Sequence, residues 1–223
     1  MKREETKFRK LLEKYKEEGC NLLVTGKVSD TSRAQLIENI LGTNKKDRKR
    51  ILAFTHTSTQ QIESYLPPGI SMEDPDVWVI DQVNNHRSIP AAAAETGVSS
   101  SNDSSSSLEQ LQNEVITAIS FFDYSEGGLN PAQLRFSIDS ISGLFDANKY
   151  RVVMQFLHAV TAMVRGVHGM GWYHLPVEDD SQMVNEILPI FDARIELRQQ
   201  SSLVPDQRWH FPDHDLTTEW VRL

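Results

Sequence analysis

Asn21-Leu-Leu-Val-Thr25-Gly26-Lys27-Val-Ser29-Asp30-Thr31-Ser32-Arg33-Ala-Gln-Leu-Ile37 reads as a short buried strand, a sharp turn at Gly26 and an amphipathic helix. That is the layout of a phosphate-binding loop, whose motif is G-x-x-x-x-G-K-[ST]. In such a loop the glycines let backbone N–H groups close around phosphates, the lysine neutralises them and the hydroxyl holds magnesium. Aligned on Gly26, this chain offers Thr31, Ser32 and Arg33 at the last three positions. The second glycine, the lysine and the magnesium-binding hydroxyl are missing together.

Outward from this stretch, strands alternate with helices. Phe8, Leu11, Leu12 and Tyr15 recur at helical spacing over residues 3–18, among mixed Lys, Arg and Glu. Strands are expected at 21–25, 51–55, 77–81, 134–139, 169–175 and 193–197, with helices over 30–42, 108–126, 149–167 and 182–188. A short helical start is read at 57–63, and the segments 208–211 and 218–222 read as a closing hairpin. From 84 to 107 the periodicity disappears into a Ser-rich stretch, expected to be a flexible surface insertion whose serine run makes no core contact. The pattern predicts an α/β fold: a mainly parallel sheet with helices on both faces and an antiparallel C-terminal extension.

At 223 residues the chain suits one domain. Apolar residues at 39% and charged residues at 24% are ordinary for a globular protein. No window approaches about 18 apolar residues, and the first residues lack a signal-peptide core, so a cytoplasmic protein with no membrane contact is expected. The single cysteine, Cys20, excludes an internal disulfide and any Cys-rich metal site. A net charge of -8 argues against sequence-independent binding to nucleic-acid phosphates, which needs a basic face.

Three further segments carry a resemblance. Glu18 to Gly26, Val77-Trp-Val-Ile-Asp81 and Leu134-Arg-Phe-Ser-Ile-Asp139 resemble the first, third and Walker B strands of KaiC-like, RecA-fold ATPases. Downstream, Phe156 to Arg165, Gly171-Trp-Tyr-His174 and Phe191 to Leu197 are similar to a branch of archaeal, mostly haloarchaeal, members with eroded P-loops. The resemblance implies a RecA-like domain of the P-loop NTPase type, with Asp139 as the magnesium-side acid. It also implies catalytic glutamates after the second strand, where this chain has Thr55-His56-Thr57. That is a second loss, separate from the first, since phosphoryl transfer needs both the cradle and the residue that positions the nucleophile.

The vestigial nucleotide site implied by the resemblance comprises Gly26, Lys27, Thr31, Ser32 and Asp139, and no bound cofactor is expected, with ATP and magnesium the less favoured alternative. Each residue also has a plainer reading. Lys27 reads as a solvated turn residue, Asp139 as a strand-end group bonding the Ser29–Ser32 turn, and Asp81 as a turn former. A crevice at the carboxyl ends of the strands, around Thr55, His56, Ser140 and His174, is the expected place for a partner or ligand. His168 with His174, and His210 with His214, lack the companions of a metal site, so no metal is expected. The basic run Lys45, Lys46, Arg48, Lys49 and Arg50 reads as a solvated loop on the opposite face, with nucleic-acid contact as the alternative. The leading functional expectation is a noncatalytic regulatory or scaffolding protein that binds a protein partner or itself. An atypical nucleotide-binding ATPase and a DNA-associated regulator are the alternatives.

Overall fold

The computed structural model describes residues 2–43, 46–56, 59–82, 86–90, 93, 106–199 and 204–223. Helix α1 (Lys2–Glu18) leads into β1 (Cys20–Thr25), α2 (Asp30–Leu41) and β2 (Lys49–Phe54). A 3-10 helix (Thr59–Tyr65) precedes β3 (Val77–Asp81) and β4 (His86–Ser88). Next come α3 (Ser107–Glu126), β5 (Leu134–Ile138), α4 (Ser142–Ala147), α5 (Tyr150–Gly166), β6 (Met170–Leu175) and α6 (Gln182–Ile187). Strands β7 (Ala193–Arg198), β8 (Asp206–Phe211), β9 (Leu216–Thr217) and β10 (Val221–Arg222) follow.

The ten strands among the described residues form one sheet in the order β10-β8-β7-β1-β6-β5-β2-β3-β4, with β9 beside β8. The six strands from β7 to β3 in that order run parallel. Strand β4 is antiparallel to β3, and β8 is antiparallel to β7, β9 and β10. Parallel strands covered on both faces must be apolar on both. Leu23, Ile51, Ala53, Trp78, Phe136 and Tyr173 pack into one cluster with α3 and α5. Their sequence neighbours Leu22, Val24 and Trp172 pack against α1, while Leu52, Phe54, Val77 and Val79 pack against α2 and the 3-10 helix. On this second face the core is therefore two clusters. Strand β5 lies between them in the sheet and supplies a residue to neither, because Arg135 and Ser137 alternate with the apolar Leu134, Phe136 and Ile138 of the first face.

Helix α1 is pinned from a distance. Phe8 meets Trp209 and Phe211 edge-on, at 5.7 and 5.8 Å between ring centroids, and Tyr15 donates its hydroxyl proton to the Asp192 carbonyl.

Three expectations need correction. Strand β2 begins at Lys49, two residues earlier than the apolar pattern suggests, because Lys49 pairs with the distant Asp76 and Glu126 and Arg50 with carbonyls of the preceding turn. The helix expected over 149–167 is present as α5, but the stretch before it, read without an element, carries a separate short helix, α4. Most of the expected 84–107 insertion lies outside the described residues, but its described parts are not all loop. Strand β4 falls within it, Ala93 is fully buried in the main core, and Ser106 caps α3.

Candidate functional site

The turn after β1 is held by backbone geometry. Gly26 sits at a φ of +101°, and a Cβ placed on it would come within 2.0 Å of the Leu197 carbonyl oxygen. Its N–H donates to the Val177 carbonyl at 2.9 Å. Only glycine fits both the dihedral and the approach.

At the start of α2, Ser29 is the N-cap, and its hydroxyl accepts from the Ser32 N–H at 3.3 Å. The Ser29 N–H itself donates to the Gln199 side chain at 2.8 Å. Backbone donors at a helix N-terminus are the groups that bind phosphate. Here two of them are committed to the protein's own oxygens. Arg33, where the magnesium-binding hydroxyl belongs in a Walker motif, is buried. Its Nε donates to the Tyr65 hydroxyl at 3.2 Å and its Nη2 to Asp30 at 2.8 Å. Lys27 is exposed, 3.6 Å from Glu178, and Thr31 is exposed while Ser32 is buried.

At the carboxyl ends of β2, β5 and β6 the expected residues do come together. Asp139 accepts from the Thr55 N–H at 2.7 Å and from its hydroxyl at 3.0 Å, and the same hydroxyl reaches the Ser140 carbonyl. These bonds tie Asp139 to the end of β2, where the sequence pointed to the Ser29–Ser32 turn. His174 donates from Nδ1 to the Asp139 carbonyl at 3.0 Å, and its own carbonyl accepts from Ile141 N–H. Burial pushes the His174 imidazole down to about 4, against opposing hydrogen bonds with the Asp139 and Gly26 backbones. It is a neutral structural strut. Ser140 is also buried, and its hydroxyl is 2.8 Å from that of Ser142. So of the expected crevice residues, Ser140 and His174 lie beneath the surface, Thr55 is half-buried and only His56 is exposed.

Beside Gly26 lies a charged network that the sequence reading missed. The Thr25 hydroxyl donates to Asp179 at 2.5 Å, and Arg194 pairs with Asp179 at 3.0 Å. Glu196, which pairs with Thr25 across the parallel strands, receives Arg208 at 2.5 Å and His210 at 2.8 Å. The ligand-type atoms of Asp179, Glu196 and His210 all lie within 4.8 Å of one another. Two guanidinium groups already meet the two carboxylates, so the arrangement is a salt-bridge network. It also sets two carboxylates beside the turn that a phosphate would approach, which disfavours an anion there.

The basic run is not the solvated loop expected. Lys49 is buried and pairs with Asp76 at 2.6 Å, Glu126 at 2.8 Å and Asp47 at 3.7 Å. Arg50, also buried, donates to the carbonyls of Gly42, Thr43 and Arg48. Arg48 is half-buried and bonds the Leu41 carbonyl, Lys46 is exposed, and Lys45 lies outside the described residues. Because the Lys49 pairs with Asp76 and Glu126 join residues far apart in sequence, a charge run alone does not reveal them. Among the described residues, no helix is long and apolar enough to cross a membrane.

A family model described as "Family of unknown function (DUF7504)" matches residues 19–197. No curated protein matches the sequence. Among solved structures, the chain is similar to a KaiC-like protein from the hyperthermophilic archaeon Pyrococcus horikoshii OT3. The two share 12% identity with a TM-score of 0.58, over 92% of this chain and 85% of that one. At that identity the likeness speaks to fold, and it agrees with the α/β architecture expected from the strand and helix pattern and with the RecA-like domain that the resemblance implies.

Proposed function

We propose, from the premise that the chain belongs to the family of unknown function DUF7504, that it is a noncatalytic regulatory or scaffolding protein on a KaiC-like RecA fold. It works through protein contacts in the cytoplasm, and its nucleotide site has been lost. We place it in an archaeal, mostly haloarchaeal, branch with eroded P-loops.

The observation that carries this reading is the self-satisfied turn after β1. Gln199 and the Ser29 hydroxyl occupy the N–H groups of Ser29 and Ser32, and Arg33 fills the position of the magnesium hydroxyl. Asp179 and Glu196 stand nearby with negative charge. A nucleotide would have to break those bonds and approach two carboxylates without the lysine that normally offsets its charge. Support for nucleotide binding comes down to Asp139 at the end of β5 and the retained strand-turn-helix layout. The DNA-associated alternative loses its main residues, since Lys49 and Arg50 are spent on intramolecular partners.

Calorimetric titration with ATP and ADP, with and without magnesium, tests the proposal. The expected result is no binding and no turnover. Magnesium-dependent turnover that Asp139→Asn abolishes overturns it, and this variant keeps an oxygen to accept from Thr55 while removing the charge.

A further inference from the structure

Arg135, the second residue of β5, is about as buried as Lys49 and Arg50 but is treated differently by its surroundings. Only 5% of it is exposed. Its Nη1 points at the Met170 thioether at 2.6 Å, its guanidinium lies 5.5 Å from the Trp172 ring centroid, and its buried Nε has no hydrogen-bond partner. Sulfur is a weak acceptor. Among the described residues no carboxylate pairs with it, and the nearby Cys20 thiol stays protonated because burial pushes it up to about 12. Burial, with Arg48 and Arg50 nearby, pushes Arg135 down to about 9, which leaves it charged at neutral pH. A buried charge without a counter-charge is costly, and proteins otherwise avoid it.

Arg135 also lines a cavity of about 270 Å³ at the amino ends of β2 and β5. Lys16 from the end of α1 and Lys46 and Arg48 from the turn after α2 also line it. Its one acid, Asp47, is already engaged by Gln133 at 2.8 Å and by Lys49. Four basic residues therefore line the cavity against one acid, and that acid is shared with Lys49 and Gln133. The cavity opens where β5 presents Arg135 between the two apolar clusters of that face, at the strand ends opposite those that carry Gly26 and Asp139.

We propose that this cavity is a binding site for a small phosphorylated anion, with Arg135 as its anchor and Lys16, Lys46 and Arg48 as supporting cations. Charge and size both favour this class. A monocarboxylate would neutralise one of four positive charges, whereas a phosphate monoester carries about −1.5 to −2 and offers three acceptor oxygens to a planar guanidinium fork. The volume lies just below the range of about 300–1,000 Å³ typical of larger ligands, so it suits inorganic phosphate or a short phosphate ester. The site stands whether or not the turn at Gly26 binds nucleotide.

Thermal melting and calorimetry with inorganic phosphate and glycerol 3-phosphate, against acetate and chloride at equal ionic strength, test the proposal. Phosphate and its ester are expected to raise the melting temperature saturably, and acetate and chloride are not. Arg135→Met is expected to weaken phosphate binding by about 10-fold or more, while the unliganded variant melts no lower than the wild type because a stranded charge is gone. Lys16→Ser and Lys46→Ser, at exposed positions, keep the test decisive if Arg135→Met does not fold. Together they are expected to weaken binding several-fold with melting unchanged. The proposal is overturned if the wild type shows no phosphate-specific stabilisation, or if the stabilisation persists in Arg135→Met or the double lysine variant. It is also overturned if single-stranded DNA binds in a Lys16- and Lys46-dependent way while the small phosphates do not, which would make the cavity part of a surface for extended polyanions.

Discussion

Gly26 and His174 show how single residues in this fold are fixed by their neighbours. At Gly26 a methyl group would have to displace the Leu197 carbonyl, which is backbone and part of β7. Gly26→Ala is therefore expected to cost more than about 2 kcal/mol, read from the urea midpoint at constant slope. His174 is neutral when folded, with its pKa lowered from 6.5 to about 4. The unfolded chain takes up the proton first as pH falls, so this contribution is complete above pH 6.5 and is lost progressively from there to about pH 4. The loss amounts to about 3 kcal/mol. His174→Gln keeps a donor for the Asp139 carbonyl and is expected to flatten that limb of stability against pH, relative to wild type. That Thr31, Ser32 and Arg33 follow Gly26 at the spacing of a phosphate-loop motif without matching it could be read directly from the chain, since motif positions are local. The bonds made there could not, because the Tyr65 partner of Arg33 and the Gln199 partner of Ser29 are set by the fold.

Individual elements declared themselves in proportion to their length and periodicity. Helix α3 and strand β3 fall close to where the apolar pattern puts them. Helix α4, six residues with Gly143 near its start, is too short to establish a period. Strand β4 is three residues long inside a polar stretch and owes its existence to pairing with β3. The start of α3 explains why the serine run cannot all be dispensable. The Ser106 hydroxyl accepts from the Glu109 N–H at 3.3 Å, and the Glu109 carboxylate accepts from the Ser106 N–H at 2.9 Å, forming a reciprocal capping box. Ser106→Ala is expected to cost about 1 kcal/mol. Removing residues 99–104 is expected to change the melting temperature little, since closure entropy varies slowly with loop length. Differential scanning calorimetry on both variants separates the two effects.

Over the whole molecule, the parallel order of six strands follows from strand-helix alternation, but their neighbours do not. Strand β1 is flanked by β6 and β7, both of which come late in the chain, and nothing local in Asn21–Thr25 announces that. The sheet ends at β10 and β4, strands of two and three residues, which leaves little open edge for another chain to pair with. The protein contacts proposed above are thus expected to use side-chain surfaces, and amide hydrogen exchange in β4 and β10 should stay unchanged when a partner binds. The clasp between α1 and β8 has a consequence for how the protein is made. Phe8 and Tyr15 find Trp209 and Phe211 only after some two hundred intervening residues have been synthesised. On the ribosome, α1 therefore has Leu22 and Val24 beside it early but lacks its aromatic partners on β8 until residue 211 has left the exit tunnel. A nascent chain arrested before that point should be cut readily by trypsin at Lys10 or Lys14 and should recruit a holding chaperone, and the released, folded protein should do neither.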